Sequence, residues 1–456
     1  MKAVILNFTG GRENWGCQAT SWGLHGFLIR HLSPLGLRDL SVVPYPPRHW
    51  IDNVIERKHK ARIAAIQTAA APTEDDLRFL EKLAARRFGA MLNRVRDADV
   101  VFFQGEGTMG PSRLFGRLNF FTLPLLARHL YGKPVFSLNQ SFVVDGPAAA
   151  IKAGTIFGSF DMVALRESRS YALARSLGLD AALLCPDMAF VAPEADKPLP
   201  GRPMKPGYFC ITGSAALSRY DIGAYLAGLK RIADAQGLNP VFVYSAAGDR
   251  ALYDSAIAAW GPGSCAVISS REVADYRGLL PVLRGAALVV GGRYHTTVAA
   301  LSQHTPVIPT AGNSHKSEGL SALLGMNLTV VDHDRPEALA ARAKELLADR
   351  DATQRQVASG VARVRTQIDG FGAYLAAAVK ARLEGNPMPL PPPELQPMPE
   401  AQSSTASNDA VYRGRGGSGL KRRLHPTDVL RAVEDMHRRL SLQHNLAVYD
   451  VPTQRF

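Results

Sequence analysis

The sequence predicts a soluble α/β protein built from two successive Rossmann-like domains whose parallel sheets face one interdomain cleft, followed by a helical segment and a mobile tail. Three observations carry that expectation. Short apolar runs of strand length recur between Ala3 and Ile308 with helix-like stretches between them, the pattern of a parallel sheet with crossover helices. The alternation is interrupted by Pro198 to Gly207, a segment crowded with proline and glycine that divides it into two halves. The 456 residues suit two or three domains, and 46% apolar with 20% charged residues is ordinary for a chain that buries a large core.

The first strand is expected at Ala3 to Phe8. A Gly-rich turn through Asn14 and Gly16 follows, then a helical stretch carrying Trp22, Leu24, Phe27, Leu28 and His31. Strands at Val100 to Phe103, Val135 to Leu138, Met162 to Leu165 and Ala182 to Leu184 complete an N-terminal domain spanning 1–197. The second domain, 208–334, begins with a strand at Tyr208 to Ile211 and continues through a helix at Ile222 to Gln236. Its further strands fall near Val241 to Tyr244, Ala287 to Val290 and Val307 to Ile308. Residues 335–384 carry a helical pattern from Arg335 to Leu383, with a break expected near Gly370 and Gly372, and should pack back across both domains.

Residues 385–420 form a linker, a polyproline-type spacer at Asn386 to Pro399 and then a stretch rich in Ser, Ala and Gly. In the tail, 421–456, Pro426 and Thr427 open a helix that sets Val429, Val433, Met436 and Leu440 on one stripe. That stripe docks on the protein's own surface or on a partner or membrane.

The formal charge of +13 is partly local. Tyr412 to Phe456 holds nine Lys or Arg against four acids, so a chain that coats nucleic acid is not required and no specific nucleic-acid partner is expected. Cys17, Cys185, Cys210 and Cys265 lack any C-x-x-C spacing, which argues against a zinc site or a disulfide framework. Ala3 to Phe8 is too short for a signal-peptide core, and no stretch approaches a membrane span. A cytoplasmic location is expected, with peripheral contact at the inner face of the cell membrane as the role open to the basic tail.

The richest chemistry lies between Leu288 and Lys316, where an apolar run ends in Gly291 and Gly292 and then in Arg293 and His295, with a helix beginning at Thr296. A second strand, Val307 to Pro309, leads to His315 and Lys316. Ligands of open α/β sheets bind beyond the carboxyl ends of the strands, where helix N-termini favour anions. Arginine offers a flat fork to a carboxylate or phosphate, lysine a point charge, and histidine moves a proton near neutral pH. The alternative is an ion pair for Arg293 and a packing role for His295.

Other segments fall in order around this one: N-W-G-C-Q-A at Asn14 to Ala19, V-V-F-F-Q-G-E-G-T at Val100 to Thr108, Asn139-Gln140-Ser141, R-E-S-R-S at Arg166 to Ser170, and C-P-D-M-A-F at Cys185 to Phe190. Together with Arg293, Tyr294, His295, Pro306 and Lys316 they resemble the motifs of the polysaccharide pyruvyltransferases, over roughly residues 1 to 375. Glu106 departs from the family pattern by interrupting consecutive glycines, and a carboxylate there repels a phosphate unless a cation neutralises it.

The resemblance implies two α/β domains of glycosyltransferase B (GT-B) type. It also implies transfer of the enolpyruvyl unit of phosphoenolpyruvate to a sugar, or a lipid-linked oligosaccharide, of an exopolysaccharide or cell-envelope glycan. That reaction asks for no metal and no cofactor beyond phosphoenolpyruvate as donor. It needs cations for a small trianion and a residue that moves a proton. The expected roles are Arg293 and His295 as catalytic groups and Arg166, Lys316, Gln140 and Asn14 as substrate-binding groups. A nucleotide-sugar glycosyltransferase and a non-catalytic assembly partner are the alternatives, since fold does not decide function.

Overall fold

The computed structural model describes residues 1–45, 49–106, 108–109, 114–144, 146–194, 207–244, 247–312 and 314–397. The tail helix, the basic tail and most of the linker lie outside the described residues.

The first sheet contains β1 (Lys2–Phe8), β2 (Asp39–Pro44), β3 (Val100–Gln104), β4 (Thr108–Met109), β5 (Val135–Phe142), β6 (Met162–Leu165) and β7 (Ala182–Leu184). Its strands are parallel in the order β2-β1-β3-β5-β6-β7, with β4 attached to β5. The second sheet, β8 (Tyr208–Thr212), β9 (Asn239–Tyr244), β10 (Ala266–Ser269), β11 (Val289–Gly291) and β12 (Val307–Pro309), is parallel in the order β10-β9-β8-β11-β12. Both are doubly wound. Their strand order reverses between β1 and β3 in one and between β8 and β11 in the other, and such crevices at the carboxyl ends are where α/β folds hold ligands.

Buried on both faces, these strands read as continuous apolar runs: V-V-F-F-Q of β3 and Y-F-C-I-T of β8 are buried throughout. The helices are α1 (Trp15–Leu32), α2 (Trp50–Gln67), α3 (Glu74–Asp97), α4 (Leu118–Leu125), α5 (Pro147–Gly158) and α6 (Ser168–Ser176) in the first half. In the second half they are α7 (Ile222–Gln236), α8 (Ala247–Trp260), α9 (Tyr276–Gly285), α10 (Tyr294–Ser302) and α11 (Lys316–Leu324), followed by α12 (Pro336–Ala348) and α13 (Arg350–Leu383). Among the described residues no helix is long and apolar enough to cross a membrane.

The break expected near Gly370 and Gly372 is absent. α13 runs 34 residues without interruption, opened by Asp349, whose carboxylate accepts from the Ala352 amide at 2.8 Å. Gly372 lies where α13 passes the His31 ring, and a Cβ there would collide with that ring. The glycine thus serves close packing of α13 on α1 and leaves the helix intact. α13 packs against α1 of the first half and α10 and α11 of the second.

Candidate functional site

Four helices start where strands end. α1 follows β1, α6 follows β6, α10 follows β11 and α11 follows β12, and α1 packs on α10 as α6 packs on α11. Their N-termini meet at the junction of the two halves, and the unpaired amides and dipoles there favour negative charge. Asn14 caps α1, its side-chain oxygen accepting from the Cys17 amide at 3.1 Å. Glu167 caps α6 through the Ser170 amide at 3.0 Å.

At this junction sits a buried charge group shared by both halves. Arg166, wholly enclosed, donates from Nη1 to Asp187 Oδ2 at 2.9 Å and from Nε to Ser141 Oγ at 2.9 Å. Its guanidinium lies 5.0 Å from the centre of the Tyr294 ring. Asp187 also accepts from Thr20 Oγ1 and the Ala189 amide, both at 2.9 Å. Burial alone would push the Asp187 carboxyl up, but the Arg166 charge and His295 hold it well below the usual carboxylate range.

His295, in the first turn of α10, reaches across the junction. Its Nε2 lies 3.1 Å from Arg166 Nη1 and 3.3 Å from Asp187 Oδ2. A guanidinium only donates, so beside Arg166 a neutral His295 accepts at Nε2 and carries its proton on Nδ1. A proton arriving at Nε2 would face the Asp187 carboxylate. On the other side of the ring a Cβ at position 16 would come within 2.5 Å of Nδ1, so the glycine of N-W-G-C-Q-A lets α1 close over the imidazole.

Lys316, the first residue of α11, is nearly enclosed. Burial, then the Arg166 charge, lowers its ammonium to about 8, while the carboxylates of Glu167, Glu106 and Asp187 oppose the shift. Glu106, at a backbone φ of 28°, accepts from Thr9 Oγ1 at 2.6 Å, and its charge acts on both Arg166 and Lys316. His315 Nε2 stands 3.2 Å from Ser170 Oγ and 3.5 Å from Glu167 Oε1.

Arg293 takes a different direction. Its Nε bonds both Asp249 oxygens at 3.0 and 3.1 Å, and the pair stays within the second half. The guanidinium is about a quarter exposed, and among the described residues its Nη1 makes no hydrogen bond. Gln140 is buried at the end of β5, its Oε1 accepting from Ser137 Oγ at 2.8 Å while its Nε2 lacks a partner among the described residues.

The structure thus gathers Arg166, His295 and Lys316, with the Asn14-capped helix closing over the imidazole, and directs the Arg293 fork toward Asp249. Asp187 and Ser141 belonged to motifs without an assigned role, yet Asp187 is the anchor of the whole group. Asp249 is a lone acid at the start of α8 with no motif around it, so nothing in the sequence singled it out.

Two sheets wound this way, meeting strand end to strand end with an α helix crossing back over both, define a GT-B-like architecture. The polysaccharide pyruvyl transferase family model matches residues 28–314, and the chain belongs to that family of transferases. Solved structures agree on the fold. A putative UDP-N-acetylglucosamine 2-epimerase from Listeria monocytogenes superposes with a TM-score of 0.54 at 14% identity, over 85% of this chain and 98% of that one. The S. aureus MnaA–UDP co-structure gives 0.53 at 12% identity, over 84% and 97% respectively. At such identities the likeness concerns architecture alone. No curated protein matches the sequence.

Proposed function

We propose that the chain transfers the enolpyruvyl unit of phosphoenolpyruvate to a sugar of an exopolysaccharide or cell-envelope glycan precursor in the cytoplasm, forming a pyruvate ketal and inorganic phosphate. The observation that supports this reading best is the Arg166–Asp187–His295 group at the meeting of helix N-termini, with Lys316 beside it, in a chain of this family.

In the reaction a proton adds to C3 of the donor while a sugar hydroxyl bonds to C2. The C2–O bond to phosphate then breaks and a second hydroxyl of the same sugar takes its place. One hydroxyl proton balances the new methyl group and the other leaves with phosphate. His295 delivers the proton to C3, Asp187 and Arg166 fix its ring, and the helix N-termini with Lys316 and Arg293 attract the carboxylate and phosphate. Arg166 is closed to solvent, so its part is to position His295. Gln140 and Asn14 support the walls of the site.

Incubation with phosphoenolpyruvate and candidate sugar or lipid-linked acceptors, followed by phosphate release and product mass, tests the proposal. Addition of a pyruvyl ketal is the expected result, and phosphate release without it sinks the reading. The fold is equally that of a protein whose structure holds UDP, so a nucleotide-sugar donor is the second reading. Thermal stabilisation by phosphoenolpyruvate and not by UDP-sugars separates the two.

A pH dependence follows from Lys316. Its charge falls away as pH rises through about 8, so the KM for phosphoenolpyruvate is expected to climb above that pH and Lys316→Met to flatten the climb. The sign for stability is the reverse. The unfolded lysine holds its proton more tightly than the folded one, so the charged form opposes folding below the folded value, and that opposition fades as pH rises. Lys316→Met should therefore stabilise the unliganded protein at pH 7 by roughly 1–3 kcal/mol while weakening donor binding. A variant that melts below the parent and keeps the KM profile counts against this role.

A further inference from the structure

α2 reverses the usual distribution of residues on a surface helix. Its only acids, Asp52 and Glu56, are buried, Asp52 in a 2.6 Å ion pair with Arg87 of α3. The outward side carries apolar groups instead: Trp50 is 66% exposed, Val54 54% and Ile51 37%. These are three of the six large apolar side chains that the described residues leave exposed, and they share the first turns of one helix.

At 100° per residue, Trp50, Val54, Arg57, Lys58, Ala61 and Ala65 fall on one side of α2, opposite Asp52, Glu56 and Ile63. All six are exposed, and Arg57 and Lys58 continue the apolar patch as a basic one with no acid on that face. An exposed tryptophan beside aliphatic groups with cations along the same stripe matches the headgroup region of a bilayer. There the ring and the aliphatic groups enter the acyl boundary and the cations meet phosphate. Arg57 and Lys58 have no acid beside them on this face of α2, and an anionic lipid surface supplies the counter-charges across its whole extent.

The position of α2 adds a reason. It begins shortly after β2 ends, so its apolar turn stands at the carboxyl edge of the first sheet, the edge from which the site is built. Nearby, the Arg12 guanidinium lies 5.2 Å from the centre of the Tyr45 ring, which follows β2.

We propose that the exposed face of α2, centred on Trp50, Val54, Arg57 and Lys58, seats the protein on an anionic phospholipid surface with the mouth of the first half toward the membrane. The lipid contact stands on the α2 face alone. Its use, presenting the site to an acceptor carried on a lipid, rests on the function proposed above. Attachment is shallow and reversible, since one helix turn adds a few apolar groups and two cations.

The test is co-sedimentation of the full chain with vesicles of phosphatidylglycerol and phosphatidylcholine, and of phosphatidylcholine alone, without donor or acceptor. The parent should bind the anionic vesicles, with a blue shift of tryptophan fluorescence that disappears in Trp50→Phe. Arg57→Gln with Lys58→Gln should weaken binding about thirtyfold, at about 1 kcal/mol for each cation near the surface. Trp50→Glu with Val54→Glu should weaken it at least as much while leaving the melting temperature and phosphate release with a soluble acceptor unchanged. Parent-like binding by both double variants overturns the proposal, since attachment would then lie elsewhere, the basic tail included. So does a parent that ignores anionic vesicles, or one that is dimeric and becomes monomeric on Trp50→Glu with Val54→Glu, which would make a second copy the occupant. Failure of the ketal assay leaves the vesicle result standing, and the reverse holds too.

Discussion

Replacing Arg166 with methionine is expected to lower the unfolding free energy by about 3–5 kcal/mol and to remove almost all transfer activity. Arg166 and Asp187 are both fully enclosed, so the substitution leaves a carboxylate in the interior with its main counter-charge gone. The Thr20 hydroxyl and Ala189 amide remain as partners, which limits the loss without abolishing it. Asp187→Asn in the same background should recover part of the stability, because the orphaned charge goes with it, while activity stays low because His295 has lost both neighbours. Denaturant unfolding of the single and double variants measures this, and a single variant within about 1 kcal/mol of the parent is the result that rejects the account. The pH dependence has a definite sign. The folded Asp187 carboxyl lies below its unfolded value, so its contribution is complete above about pH 4 and is lost only as pH falls toward the folded value.

Substitution of His295 by glutamine is expected to reduce turnover by about a hundredfold to ten-thousandfold, the range for a lost general acid, with a much smaller change in KM. Glutamine keeps a polar tip that can still bond Arg166 or Asp187, so packing against Gly16 and the junction should survive and the melting temperature should move little. A raised KM with parent-like turnover would show instead that His295 only binds the anion. A Gly16→Ala variant should resemble the glutamine variant in turnover, because the added methyl displaces the imidazole from the side opposite Asp187.

Much of the fold was legible because buried parallel strands are short apolar runs bounded by glycine. β8 and β9 stood out this way and β12 by its flanking prolines, as did α7, whose ends at Asp221 and Gly237 cap it in the ordinary manner. β2 and β10 were not legible. D-L-S-V-V-P mixes partly buried and buried positions and carries a buried serine, and A-V-I-S is only half buried, so neither shows the unbroken apolar run of an inner strand. Both are edge strands of their sheets. The helix expected to begin at Thr296 starts instead at Tyr294, which places His295 in the first turn, aimed over the junction. The expected break at Gly372 failed for a reason no single sequence displays: the glycine answers the His31 ring, more than three hundred residues earlier in the chain.

The site itself was legible as a list and not as an arrangement. Arg293 and His295 are two residues apart, yet one side chain turns to Asp249 and the other to Asp187, because Arg293 precedes the helix and His295 belongs to it. Pairings that cross from one half to the other, such as His295 with Arg166 or His315 with Glu167, depend on how the halves meet.

The seam between the halves is closed along much of its length. Trp15 Nε1 donates to the Val273 carbonyl at 2.7 Å, Gln18 exchanges bonds with Ala274 and Tyr276 at 2.8 Å, and Arg365 Nε reaches the Phe190 carbonyl at 3.1 Å. One apolar cluster runs through β1, β3 and β5, across α1 to α9 and α10, and up α13. The first half shares its interior with α9, α10 and α13, while a second apolar cluster, from Phe209 to Leu346, lies within the second half and α12. Heat or denaturant should dismantle the two together in a single cooperative step, and either half produced alone would expose the side chains that the other half and α13 now cover. Exchange of one half for that of a relative would therefore have to carry α13 and the seam residues with it.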